Sequence, residues 1–369
     1  MHEEFSTIRI NSNMAYTTID DPTQHHDTVC WSGNSVVGRK VSGYNFQPDL
    51  LFVDLRNAGE NNSIWDSTRG DKHWRWDQTG NESTTSMISS YDTYGMTLTN
   101  QSQVNNRLYK YVAAGWKANG ASRTTFTESG NNPGGGRQVN TTAGLSIIDY
   151  TGTGANGTIA HGLGVTPNWV IVRNRDGGNS DANFHHFTGL LSADNRVLYG
   201  SSNDGEQTNA SAFNSTAPTS TNITVGTNSA TNKNDDNYIM YAFANIQGFS
   251  KIGKYTGNGN AAGPFIYTGF RPAFLITKRF DASDHWRWGD DTRPIFDGNT
   301  VNDGSLTQLK MNAEDSEADS GARNIQLLSN GFSIKDTDAD TNADDGTYIY
   351  CAFASAPFVT SNGGANNAS

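Results

Sequence analysis

Cysteine, charge and long apolar runs are all scarce in this chain of 369 residues. Its two cysteines, Cys30 and Cys351, cannot build a disulfide framework; lying in non-equivalent segments, they read as free thiols that pack like small hydrophobes. No run of 18 apolar residues occurs, so no membrane-spanning helix and no membrane insertion is expected. Met1-His2-Glu3-Glu4 gives no basic, apolar leader. Charged residues make up 17% of the chain and hydrophobic residues 34%. Disorder normally couples few apolar residues to many charges, so this low charge argues for folded structure. The formal net charge is −11, which disfavours nucleic acid and anionic membrane surfaces, since both are bound through cations. No segment of ten residues shows the 3.6-residue period of an amphipathic helix. A nucleophile elbow, a phosphate loop and an HExxH segment are also missing. Catalysis, a cofactor and a metal are therefore not expected.

What the chain does have is glycine (39 residues), aromatics at 11%, and an internal repetition. Tyr150-Thr151-Gly152 leads to Thr166-Pro167-Asn168-Trp169-Val170-Ile171-Val172, and Tyr255-Thr256-Gly257 leads to Arg271-Pro272-Ala273-Phe274-Leu275-Ile276. A looser copy runs from Trp31-Ser32-Gly33 to Gln47-Pro48-Asp49-Leu50-Leu51-Phe52-Val53. The three prolines stand 119 and 105 residues apart, too far for a solenoid repeat and right for a small domain. Each copy closes alike: Tyr238-Ile239-Met240-Tyr241-Ala242-Phe243 matches Tyr348-Ile349-Tyr350-Cys351-Ala352-Phe353, with Tyr109-Lys110-Tyr111-Val112-Ala113-Ala114 as the weaker first version.

Short β-rich runs bounded by turn residues predict strands, and Asn330-Gly331 marks a hairpin. About eight strands per copy predict an all-β protein of three tandem jelly-roll-like β-sandwich repeats of about 100 residues. The expected divisions are an N-terminal arm (1–28), repeat 1 (29–118), a flexible Gly/Asn/Ser/Thr-rich linker (119–143), repeat 2 (144–247), repeat 3 (248–358) and a frayed tail (359–369). Gly248-Phe249-Ser250-Lys251-Ile252 mirrors Gly144-Leu145-Ser146-Ile147-Ile148. Repeats 2 and 3 are therefore expected to be a rigid pair, with repeat 1 set apart.

His73-Trp74-Arg75-Trp76 and His285-Trp286-Arg287-Trp288 share a tetrapeptide but fall out of register. By position, Trp65-Asp66-Ser67-Thr68-Arg69 pairs with Trp288-Gly289-Asp290-Asp291-Thr292-Arg293, and Phe184-His185-His186-Phe187 lies nearby in repeat 2. Aromatic faces beside Arg and Asp suit sugar rings. The candidate glycan-binding residues are Trp65, Arg69, His185, Trp286, Trp288 and Arg293. The competing interpretation is that the tryptophans fill thin sandwiches while Asp and Arg pair locally. Asp336-Thr337-Asp338-Ala339-Asp340 has the opening of a calcium loop without its glycine or its closing glutamate, so a solvated hairpin is expected there. His185 and His186 are adjacent on a strand and point to opposite faces, a poor metal pair.

Several segments resemble a family of virion proteins from marine and cyanobacterial tailed phages. They are Met14-Ala15-Tyr16-Thr17-Thr18-Ile19-Asp20-Asp21-Pro22, Pro48 to Arg56, Trp65-Asp66-Ser67-Thr68-Arg69-Gly70, Thr142-Ala143-Gly144-Leu145-Ser146-Ile147, His161-Gly162-Leu163-Gly164 and Tyr267-Thr268-Gly269-Phe270-Arg271-Pro272-Ala273-Phe274. The likeness runs from about Met14 to Phe358. It implies concanavalin-like β-sandwiches, a virion-surface location, other virion proteins as partners, and a tail-fibre or similar role in assembly and host-glycan adhesion. Two alternatives follow: a tailspike-like polysaccharide-degrading enzyme, and a capsid decoration protein. Either a homotrimer, as in fibres, or a pseudo-threefold within one chain fits the triplication.

Overall fold

The computed structural model describes residues 16–59, 62–177, 183–293, 306, 308–317 and 324–366. It is all-β, with antiparallel sheets and only single-turn helices. One strand order occurs three times. In each unit an opening strand (His26–Ser32, Leu145–Thr151, Ser250–Thr256) pairs with a closing strand (Lys110–Trp116, Asn237–Phe243, Thr347–Pro357). The closing strand pairs in turn with a core strand (Leu50–Leu55, Trp169–Asn174, Phe270–Arg279). A fourth strand (Ser63–Asp66, His185–Phe187, Arg287–Asp290) and a fifth (His73–Arg75, Arg196–Tyr199, Gln308–Lys310) complete the sheet. A smaller outer sheet covers one face: Arg39–Ser42 with Gly95–Leu98 and Ile88–Asp92, Gly157–Ala160 with Asn222–Val225, and Phe265–Tyr267 with Gly331–Ile334 and Ile325–Leu328. Pairing of first strand with last, and second with next to last, is jelly-roll nesting.

The pleat explains why the core strands read as unbroken apolar runs. Alternate side chains of a strand point to opposite faces, and here both faces are buried. Leu51 and Val53, Val170 and Val172, and Leu275 fill three separate sandwich interiors. Leu50 and Phe52, Trp169 and Ile171, and Phe274 and Ile276 turn the other way, into one central cluster shared by all three sheets. At its middle the last aromatics of the closing strands meet. Trp116, Phe243 and Phe353 lie with ring centroids 6.1, 5.4 and 6.0 Å apart, a triangle on a pseudo-threefold axis. Truncating a ring at such a site typically costs about 3–5 kcal/mol.

Pairing also corrects the alignment of the closing strands. Lys110, Asn237 and Thr347 stand opposite the ends of their opening strands. The first version is therefore Tyr111 to Trp116, shifted by two from the Tyr109 match. Hydrogen bonds agree. Tyr111, Tyr238 and Tyr348 donate to Ser102, Ser229 and Ala339 carbonyls at 2.5, 2.6 and 2.7 Å, the first residues of three one-turn helices. Each hydroxyl also accepts the backbone N–H just past its helix, from Asn106, Lys233 or Ala343. The last helical residue is asparagine each time. Asn105, Asn232 and Asn342 donate to two loop carbonyls, and each Oδ1 accepts a backbone N–H, from Asn34, Thr153 and Asn258. Asn-x5-Tyr is thus a threefold clasp that satisfies buried backbone groups.

Three expected divisions change. Residues 119–143 are not a flexible linker: Thr124–Phe126 and Gly135–Asn140 add two strands to the second unit's sheet. Gly135 is there for close approach, since a Cβ would sit 2.0 Å from the Asp149 carbonyl. Gln138 in that segment accepts from Asn119 and Ala121 N–H and donates to Ser67 and Thr68, so the first unit is bound to the second and not set apart. The described part of the N-terminal arm packs on the third unit. Tyr16 donates to the Gly269 carbonyl at 2.8 Å, Ile19 joins the central cluster, and His26 begins the first sheet. The described part of the tail folds back, with Ser361 N–H donating to Asp20 at 2.6 Å. The segment before Met14 and the final three residues lie outside the described residues.

Candidate functional site

All six residues expected to contact glycan are buried. Trp65 packs inside the first sandwich. Trp286 and Trp288 face the central cluster, as do Trp74 and Trp76 of the matching tetrapeptide, although the two tetrapeptides stand on different strands. His185 is covered by Tyr199, ring centroids 5.0 Å apart. Its neighbour His186 points the other way and accepts the Trp169 indole N–H on Nδ1 at 3.1 Å. A tryptophan can only donate, which fixes the proton of His186 on Nε2. Burial pushes this imidazole well below its ordinary range. The physical reason for the correction is the shared centre: a sheet covered on both faces leaves its tryptophans no solvent side.

The Asp-Thr-Arg match marks something else. Asp66 holds Arg69 at 2.5 Å and Asp290 holds Arg293 at 2.6 Å. Glu82 bridges Arg69 (3.0 Å) to Arg175 of the second unit (2.9 Å). Glu317 likewise bridges Arg293 (3.2 Å) to Arg56 of the first unit (2.9 Å). These are one network built twice, at the first–second and third–first junctions. Burial alone would lower the Arg69 guanidinium, but Asp66, Tyr241 and Glu82 outweigh it and hold it raised. Among the described residues the second–third junction has no such network. The corresponding positions hold Thr188, Leu191 and Phe280, and the last two join the central cluster. Glu206 takes the matching place, its N–H on the Phe280 carbonyl at 2.7 Å, and its carboxylate accepts from Ser192.

Asp336 to Asp340 is neither an ion loop nor a solvated hairpin. Asp338 caps the helix Ala339–Asn342, and Asp336 accepts from Asn324 and Asp338 N–H and from Thr341. Among the described residues no three carboxylate, imidazole or thiol groups gather as metal ligands would.

The surface chemistry lies elsewhere. A groove of about 560 Å³ runs along the first unit's outer sheet, lined by Lys40, Gln47, Tyr91, Asp92 and Tyr94. A second depression of about 340 Å³ adjoins it through Tyr91, with Asp71, Ser86, Ser89 and Ser90. Tyr94, at the hairpin tip, is 61% exposed. Tyr91 is oriented by donating to the Gly70 carbonyl at 3.1 Å. Asp92 accepts from Ser90 and Thr97. A third depression, about 310 Å³, opens at the junction of the first and second units beside Trp74, Arg75, Gln78 and Arg173. Sequence reasoning missed all of these, because Tyr91-Asp92-Thr93-Tyr94 has no counterpart in the other repeats. Arg173 did leave a signal. Six residues after each repeat's proline stands an ionisable group, Asp54, Arg173 or Lys278, and all three are buried.

Comparison with curated proteins and with solved structures returns no match. Residues 21–357 match one family model over nearly the whole chain, and the protein belongs to that family, described as a domain of unknown function (DUF7483).

Proposed function

We propose that the protein is a non-enzymatic structural component of a tailed-phage virion surface, a tail fibre or similar appendage. It serves assembly with other virion proteins and adhesion to host glycans. One observation carries this reading. The Trp, Arg and Asp constellations are consumed in the interior seams, and the outer sheet of the first unit keeps a tyrosine-lined trough. Tyrosine faces with nearby Asp, Gln and Ser groups suit shallow, weak saccharide contacts, which copy number on a particle multiplies. The test is a glycan array with wild type and Tyr94→Ala, run beside a reducing-end release assay. Binding lost in the variant, without turnover, is expected; sustained release of reducing ends would replace this reading with the tailspike-like enzyme.

A second reading has its own support. Three quasi-equivalent sheets around an axis would seat on a local threefold of a capsid lattice, as a decoration protein does. It predicts no glycan binding and heads that rupture more easily when the protein is absent.

A further inference from the structure

We infer that the depression at the first–second junction binds an oxyanion carried by a saccharide, a uronate carboxylate or a sulfate ester, met by Arg173 and Arg75. The inference rests on the adhesion reading and names the ligand class. Arg173 is 1% exposed. Its Nη2 donates to the Gln78 and Gly80 carbonyls at 3.0 and 2.9 Å, and its guanidinium carbon lies 4.3 Å from the Phe184 ring centroid. Nε and Nη1 have no hydrogen-bond partner among the described residues. Arg69 and Arg293, buried in the same protein, each have two carboxylates; among the described residues neither Arg173 nor Arg75 has one within ion-pair distance. A buried guanidinium with two N–H-bearing nitrogens unsatisfied and no carboxylate beside it is unfavourable and calls for an explanation.

The local charge balance points the same way. In a chain of net charge −11, Arg69, Lys72, Arg75, Arg173 and Arg175 gather here with Asp66, Asp71, Asp77 and Glu82, so the cations still outnumber the carboxylates. Burial, with Arg69 beside it, pushes the Arg173 guanidinium down to about 9, so it remains a cation at neutral pH. An arriving oxyanion would relieve that desolvation, and arginine suits planar or tetrahedral oxyanions through its forked donors. The rest of the lining, Gln78, Asn81, Ser83 and the edge of Trp74, offers amide and hydroxyl groups for sugar hydroxyls. A pocket of about 310 Å³ falls at the lower end of the range for small-ligand sites.

The test is calorimetric titration of the full chain with an oligogalacturonate, a neutral cello-oligosaccharide of equal length, and sodium sulfate. The uronate should bind at least tenfold more tightly than the neutral sugar, and Arg75→Gln should erase the difference. Arg75 is only half-buried, so this variant keeps the test available should Arg173→Met fail to fold. Sulfate should raise the melting temperature above that in chloride at equal ionic strength, and by more in wild type than in Arg173→Met, which keeps only the general stabilisation by sulfate. Equal affinity for both sugars, or a preference that survives both substitutions, overturns the inference. Uronate and neutral sugar bound equally, with both lost in Tyr94→Ala, would leave the adhesion reading standing while the inference falls. A sulfate response without any saccharide binding overturns the saccharide source and the adhesion reading together.

Discussion

Buried histidines set how the molecule responds to acid. His26 donates Nδ1–H to the Gly115 carbonyl at 3.0 Å, leaving Nε2 unpaired among Trp116, Phe274 and Phe353. Burial pushes its imidazole down to about 3. Burial, with Arg69 and Arg75 nearby, pushes His73 to about 4. A base whose folded value is depressed takes up protons in the unfolded chain first. The stability this represents is complete above pH 6.5 and is lost as pH falls toward the folded values. The slope is about 1.4 kcal/mol per pH unit for each histidine. Asp291, raised to about 6 mainly by burial, works in the opposite sense below pH 6. The histidine effect is therefore isolated by comparing wild type with His26→Phe. The variant should lose less melting temperature between pH 7 and pH 4, and parallel curves would refute the assignment.

At the scale of elements, the ends of the fourth strands decide which unit meets which. Two of the three junctions carry a buried Asp–Arg–Glu–Arg chain, and the third has Thr188, Leu191 and Phe280 at those positions and a buried Lys278 donating across to the Asn203 carbonyl, so the units are not interchangeable around the ring. Breaking one buried partner leaves the others uncompensated. Arg69→Met is expected to lower unfolding free energy by about 3–5 kcal/mol in urea titration, whereas a change under 1 kcal/mol would mean the network contributes little. The Asp and Arg of this motif were legible in sequence, and pairing places Asp66 and Asp290 at the same register, but the two tryptophans do not correspond: Trp65 lies opposite Leu51 and Trp288 opposite Ile276, on different faces of their sheets. The role of the Asp and Arg was not legible, because the bridging Glu82 and Glu317 come from loops of unequal length with no local signature. Gln138 and Gly135 misled in the same way, since a Gly- and Asn-rich stretch looks flexible until a neighbouring strand is supplied.

For the whole molecule, the shared centre matters most. No unit owns the face that its core strand turns toward Trp116, Phe243 and Phe353, so none can bury it alone. Heat should therefore unfold the chain in a single calorimetric transition, its calorimetric and van't Hoff enthalpies agreeing. A fragment ending at residue 118 should be unfolded or aggregated. Three separated transitions, or a stable fragment, would show that the sandwiches stand independently.

The sequence by itself determined the β class, the three proline-led core strands, and the matched Asp and Arg positions. Each depends on local pattern, which survives in one dimension. Only the tertiary structure decided which face of each sheet is outside. A strand buried on one face and a strand buried on two differ in what packs against them, and that neighbour lies more than a hundred residues away. For this reason tryptophans that suit a sugar platform became a common core, and Tyr94, without any shared motif, and Arg173, at a position shared only in being ionisable, were left at the surface depressions.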